Sequence, residues 1–194
     1  MNKNRLEAFS DGVIAIIITI MVLEIKIPHT TNLNALLELS PVFLSYAFSF
    51  VYIGIYWGNH HHLLHVVKKV SSGIMWANLF LLFWLSLLPF ATGWMGENHF
   101  APFTVAVYAV LLNLCGIAYT ILQRTIVSCH EFRPRMKDAM KKQTYKGLLS
   151  MVGYSAAFGF SFINPIISVV LFVVVAVVWL IPDKNIEKAY TSEQ

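Results

Sequence analysis

Residues Arg5 to Pro28 read RLEAFSDGVIAIIITIMVLEIKIP. From Leu6 to Ile27 the run has few breaks. At about 1.5 Å per residue it spans about 33 Å as a helix, enough to cross a bilayer. Pro28 cannot continue a helix and marks its expected end. Arg5, Glu7, Ser10 and Asp11 interrupt the otherwise apolar N-terminal part. Asp11 lies far enough inside to be costly unless it is paired or wetted, which makes it a functional or architectural feature by default. At about 100° per residue, Ile16, Ile20, Leu23 and Ile27 fall within roughly 60° of one another, with Thr19 at the edge. Ser10 and Asp11 point roughly 120° or more away and are expected to look into a helix bundle.

Composition agrees with this first run. The 194-residue chain is 57% hydrophobic and 12% charged. Soluble domains carry about 25% charged residues, so the chain reads as a polytopic membrane protein. Its length holds about six or seven spans and no separate soluble domain. Cys115 and Cys129 are too few for a disulfide framework and read as free thiols. The first run lacks a small-residue cleavage site and is expected to remain as a span.

Six hydrophobic segments follow one another, over 6–27, 41–66, 73–94, 101–126, 146–163 and 166–182. Ser40-Pro41 supplies a cap and a first-turn proline for the second. Ser71-Ser72-Gly73 opens the third, Pro89 is expected to bend it, and Asn164-Pro165 turns the last two into a hairpin. With the N-terminus inside, thirteen basic residues fall on the cytoplasmic side, from Lys3 and Arg5 to Lys184 and Lys188, and only Lys26 falls outside. An even number of spans places both termini in the cytoplasm. The basic stretch from Arg133 to Lys146 reads first as part of that orientation signal and second as a contact for anionic lipid. Trp94, Trp179, Tyr46 and Tyr108 are candidates for interfacial belts or for helix packing.

Depth links several polar groups. Asp11, the run His60-His61-His62 and Asn78 all lie roughly 6–9 Å in from the same side. A Ser10–Asp11–His–Asn78 hydrogen-bond network would satisfy them in low dielectric. A structural role that fixes the first helix is favoured over proton relay or pH sensing. His61 and His65 are spaced to share a metal, but nothing completes a first shell. A hydrolase reading fails for want of a nucleophile elbow or oxyanion hole, so no catalytic residue is assigned. Because the first helix is apolar nearly all round, periodicity alone does not separate a pore face from a lipid face.

Arg5-x-x-x-Phe9-Ser10-Asp11, followed by Gly12 and a branched aliphatic helix, resembles the signature of a potassium channel family. That family comprises the endolysosomal channel called transmembrane protein 175 and its prokaryotic homologues. Trp57-Gly-Asn-His-His, Trp76-Ala-Asn78 and Leu87-Leu88-Pro89-Phe90 add to the likeness. It covers about the first hundred residues; the second half fits by hydropathy only. The resemblance implies an all-α, six-helix transmembrane channel domain over residues 1–194, assembled as a homotetramer in a bacterial plasma membrane. It implies passive, potassium-selective conduction through a pore lined by helix one of each subunit. Rings of Ile16, Ile20 and Leu23 would form a hydrophobic constriction, which gates by dewetting and by partial dehydration of the ion.

By the same resemblance, Arg5, Phe9, Ser10, Asp11, Trp57, His61 and Asn78 hold helix one in place. Trp57-x-x-x-His61 selects His61, with His60 and His62 as open alternatives. A TVGYG carbonyl filter is absent, so Thr19 is a candidate pore hydroxyl and Glu24 a source of local cation attraction. The implied partners are potassium ions, the lipid bilayer and further copies of the chain, with no nucleic acid, cofactor or metal. The rival readings are a proton-coupled secondary transporter using Asp11 and the helix-two histidines, and a non-transporting or metal-binding scaffold.

Overall fold

The computed structural model describes residues 2–180 and is all-helical there. Lys184, Lys188 and the end of the sixth predicted segment lie outside the described residues. The first helix, α1 (Lys3–Leu23), is capped by Asn2, whose side chain accepts from the Asn4 amide. It stops five residues before Pro28, earlier than the sequence suggests. Ile27 precedes a proline and is disfavoured in the helical region, and Lys26 turns to meet Glu97 at 2.6 Å. A short helix, α2 (Leu33–Glu38), follows and is capped by Asn32.

The second long helix is α3 (Ser40–His65). Ser40 is its first helical residue and not its cap; Leu39 holds the cap position and Pro41 sits in the first turn. Ser71 caps α4 (Ser72–Ser86) through its hydroxyl, which accepts from the Ile74 amide at 3.3 Å. Pro89 does more than bend the third segment. The helix ends at Ser86 and a new one, α5 (Leu88–Glu97), begins with the proline in its first turn, where no amide donor is needed. His99 and Phe100 then take left-handed backbone with φ of 50° and 58°. The Phe100 amide donates to Met95 O and the His99 amide to Gly96 O, which closes the helix end.

Three further helices follow among the described residues: α6 (Pro102–Cys129), α7 (Pro134–Ser161) and α8 (Pro165–Leu180). The basic stretch read as a connection is helical. Pro134 starts α7, and Met136, Ala139, Met140 and Gln143 are buried at helical spacing while the charges point outward. The Asn164-Pro165 turn does join two helices that pack on each other, with Asn164 Oδ1 accepting from the Ile166 amide.

Helix α6 is central, packing on α4, α5, α7 and α8, and Tyr108, Leu112, Cys115 and Leu122 are buried along it. Tyr108 is therefore a packing residue; its hydroxyl lies 2.9 Å from that of Ser49. Helix α1 lies on the other side of the bundle against α3, α4 and α5. Among the described residues, four stretches are long and apolar enough to cross a membrane: Lys3–Leu23, Ser40–His65, Ser72–Glu97 and Pro102–Cys129.

Candidate functional site: the first helix and its anchors

Helix α1 has two unlike faces. Leu6, Ser10, Ile14, Ile17 and Met21 are buried, at spacings of four and three residues that keep them on one side. The other side carries Arg5, Phe9, Ile16, Thr19, Ile20 and Leu23, all exposed in the single chain. Ile16 is 57% exposed and Leu23 79%. A large apolar stripe left uncovered by its own chain needs lipid or another copy against it. The Thr19 hydroxyl donates to Ile16 O at 2.9 Å, so only its oxygen lone pairs remain to face outward.

Polar anchors tie the covered side down. Asn78 of α4 donates from Nδ2 to Ser10 Oγ at 2.9 Å, and Ser10 donates on to Leu6 O at 2.8 Å. Asn78 Oδ1 lies 2.6 Å from His60 Nε2. Because that oxygen can only accept, the His60 proton must sit on Nε2. Ser10, His60 and Asn78 are all buried. One amide therefore joins α1, α4 and α3, and both of its ends are used. The His60 Nδ1 atom has no hydrogen-bond partner among the described residues.

Asp11 belongs to a separate link. It is half-buried, and its Oδ1 accepts from Trp57 Nε1 of α3 at 3.0 Å. The structure thus divides the expected four-residue network into two. The reason is helical phase: Ser10 and Asp11 point about 100° apart, so they meet different neighbours.

Phase also corrects the choice of histidine. His60 lies on the buried side of α3 with Ile53, Leu63 and Leu64, whereas His61 is exposed. The His61 ring instead lies beside Trp57, with centroids 6.4 Å apart, and stacks on His65 at 6.0 Å. Arg5 and Phe9 take no part in either link; both project from the uncovered face of α1.

Beyond α1 lies an acidic end. Glu24 folds across Gly93, where a Cβ would sit 3.6 Å from its side chain. Glu24, Glu38 and Glu97 surround one hollow with Lys26 and His99. The Glu97 carboxylate holds the Lys26 ammonium above the usual lysine range. A groove of about 550 Å³ runs from this end along Ile20, Ile17, Ile16 and Val13 against Phe90 and Trp94 of α5. Sequence reasoning missed the Trp57–Asp11 bond and this groove.

Comparison with known proteins places this arrangement. Residues 5–89 match the sequence profile of a family described as endosomal/lysosomal potassium channel TMEM175. A potassium channel of Chryseobacterium sp. (strain P1-3) is 51% identical over 189 residues, covering 97% of this chain and 98% of that one. The crystal structure of a lysosomal potassium-selective channel TMEM175 homolog from Chamaesiphon minutus superposes with a TM-score of 0.82 at 29% identity. That match covers 92% of this chain and 96% of the other. An endosomal/lysosomal proton channel TMEM175 of Gallus gallus is 38% identical over 103 residues, 47% of this chain and 21% of its own length. With a near full-length relative at this identity, the chain belongs to the TMEM175 family of membrane ion channels.

Proposed function

We propose that the protein conducts potassium passively, as a homotetramer in a bacterial plasma membrane, with α1 of each subunit lining the pore. Six crossings complete the subunit: the four long apolar stretches, the apolar second half of α7, and α8. Both termini then lie in the cytoplasm. The observation that carries this reading is the uncovered apolar face of α1. It stands opposite a face fixed by hydrogen bonds, so each copy would present Ile16, Ile20 and Leu23 at a set angle to a shared axis. Such rings make a narrow neck that excludes water when closed. The Glu24 and Glu97 carboxylates at the end of that face would raise the local cation concentration. The potassium channel names of the bacterial relatives support the choice of ion.

The test is potassium flux into liposomes holding the purified protein, with sodium and chloride as controls. Flux favouring potassium, without chloride and without a pH gradient, is the expected outcome. Flux that requires a pH gradient would transfer the mechanism to the alternative, proton-coupled transport through Asp11 and the α3 histidines. One observation favours keeping protons in view. His60 is buried with one ring nitrogen unpartnered, and the chicken relative is named a proton channel.

A further inference from the structure

We propose that α7 holds the headgroup of an anionic phospholipid between Lys141 and Lys142, on its bilayer-facing side. The first observation is that this basic stretch is one continuous helix with the apolar run behind it. Charges in a loop have no fixed direction, but on a helix they do. Lys141, Lys142, Tyr145, Leu148, Leu149 and Val152 fall within roughly 120° of arc at about 100° per residue. All six are exposed. They lie opposite Met136, Ala139, Met140 and Gln143, which are buried in the bundle.

Read outward along the helix, this face changes character in order. Val152 and Leu149, 66% and 60% exposed, need acyl chains or another copy against them if the chain spans a bilayer, and the proposal assigns them to acyl chains. Tyr145 follows, 72% exposed, at the point where an amphipathic ring belongs at the interface. Lys142 and Lys141 come next, within one turn. Their aliphatic stems cover apolar surface while their ammonium groups reach the phosphate level. Lys146, by contrast, is turned away, with Nζ 4.7 Å from the centre of the Trp179 ring.

Charge at this end favours an anion. The His130 ring accepts from the amides of Lys68 and Lys69 at 3.2 and 3.3 Å, which draws the α3–α4 and α6–α7 connections together. Arg133, Arg135 and Lys137 precede the pair at the same end of α7, and Lys68 and Lys69 lie at His130, off the face that carries Lys141 and Lys142. Two acids flank this stretch among the described residues: Glu131, and Asp138 one turn beyond the lysines. Neither forms an ion pair with Lys141 or Lys142 among the described residues. An orientation signal needs only a surplus of basic residues on one side. It does not need two of them in phase with the lipid face and directly beyond a tyrosine.

The inference rests on the membrane-spanning reading and not on conduction, so its failure and a failed flux assay are separate results. The test is native mass spectrometry of the full-length protein in micelles doped equally with phosphatidylglycerol and phosphatidylcholine. The expected result is preferential retention of phosphatidylglycerol, reduced about tenfold in K141Q/K142Q. K141R/K142R should retain it, and so should K68Q/K69Q, which removes the same charge off this face. Equal retention by K141Q/K142Q and the parent would overturn the site, as would equal retention of the two lipids by the parent. Inorganic phosphate is the soluble arm. If phosphate alone displaces the lipid at millimolar concentration, the pair is a free-anion site and the lipid assignment fails. If K141Q/K142Q changes the subunit number instead, the face is a contact between copies and the assignment fails as well.

Discussion

Asn78→Leu keeps the volume of the side chain and deletes both of its hydrogen bonds, so it measures what the three-helix joint contributes. The larger loss is at His60. Its Nε2–H, now 2.6 Å from Asn78 Oδ1, would face an apolar group in a site without water access. A buried donor left unsatisfied costs about 1–3 kcal/mol. Ser10 loses less, because it still donates to Leu6 O, and a single neutral bond contributes about 0.5–1.5 kcal/mol. The sum is about 2–4 kcal/mol. For a chain of this size each kcal/mol moves the midpoint by about 2–4 °C, so the expected fall is about 5–15 °C. The assay heats detergent-solubilised protein and measures the surviving oligomer by fluorescence-detected size exclusion. Ser10→Ala should cost less than Asn78→Leu. The double variant should fall short of the sum by about 1 kcal/mol, because the two residues share one bond. A midpoint for Asn78→Leu within about 2 °C of the parent, or strict additivity of the pair, would refute the joint.

Three other outcomes follow from named contacts. Ile16→Asn is expected to raise potassium flux in liposomes and to narrow its margin over sodium, because a polar neck wets; unchanged flux would remove Ile16 from the constriction. Asp11→Ala strands Trp57 Nε1 and should lower the yield of intact oligomer, with Trp57→Phe giving a similar loss. A fully assembled Asp11→Ala oligomer with altered potassium-to-sodium flux would instead place Asp11 on the ion path. Gly96→Ala puts a Cβ 2.8 Å from Val42 Cα, so α3 and α5 must separate. Overpacking of this kind costs about 1–3 kcal/mol, and a midpoint equal to that of the parent would show that the crossing has slack.

Much of the anchor region was legible because its signals are local. Asp11 in an apolar run announces a partner, Ser71-Ser72-Gly73 announces the start of a helix, and Asn164-Pro165 announces a turn. What the residues alone did not yield depends on phase and on neighbours. Three adjacent histidines differ by 100° steps, and choosing His60 requires knowing which side of α3 is covered. Hydropathy sees only the apolar second half of α7, so the helical first half was hidden beneath its own charges. The period of Met136, Ala139, Met140 and Gln143 was the available clue. The early end of α1 depends on Glu97, distant in sequence, drawing Lys26 aside. What faces the open side of α1 is not displayed by a single chain, and the pore assigned to it is the proposal drawn from the family likeness.

The break between α4 and α5 bears on how α1 can move. Near its start, α1 is fastened to α4 through Asn78. Near its end it rests on α5, where Thr92 lies 4.0 Å from Met21 Sδ and Gly93 lies under Glu24. The two supports are not one rigid rod, since the helix between them is interrupted at Leu87. The footing and the far bearing of α1 are thus mechanically distinct. A shift of α5 can tilt the Ile20–Leu23 end like a lever on a fixed pivot, leaving the bonds at Ser10 intact. If α1 lines the pore as proposed, mutations in the pivot should register as lost assembly, and mutations in the bearing as altered flux through an assembled oligomer.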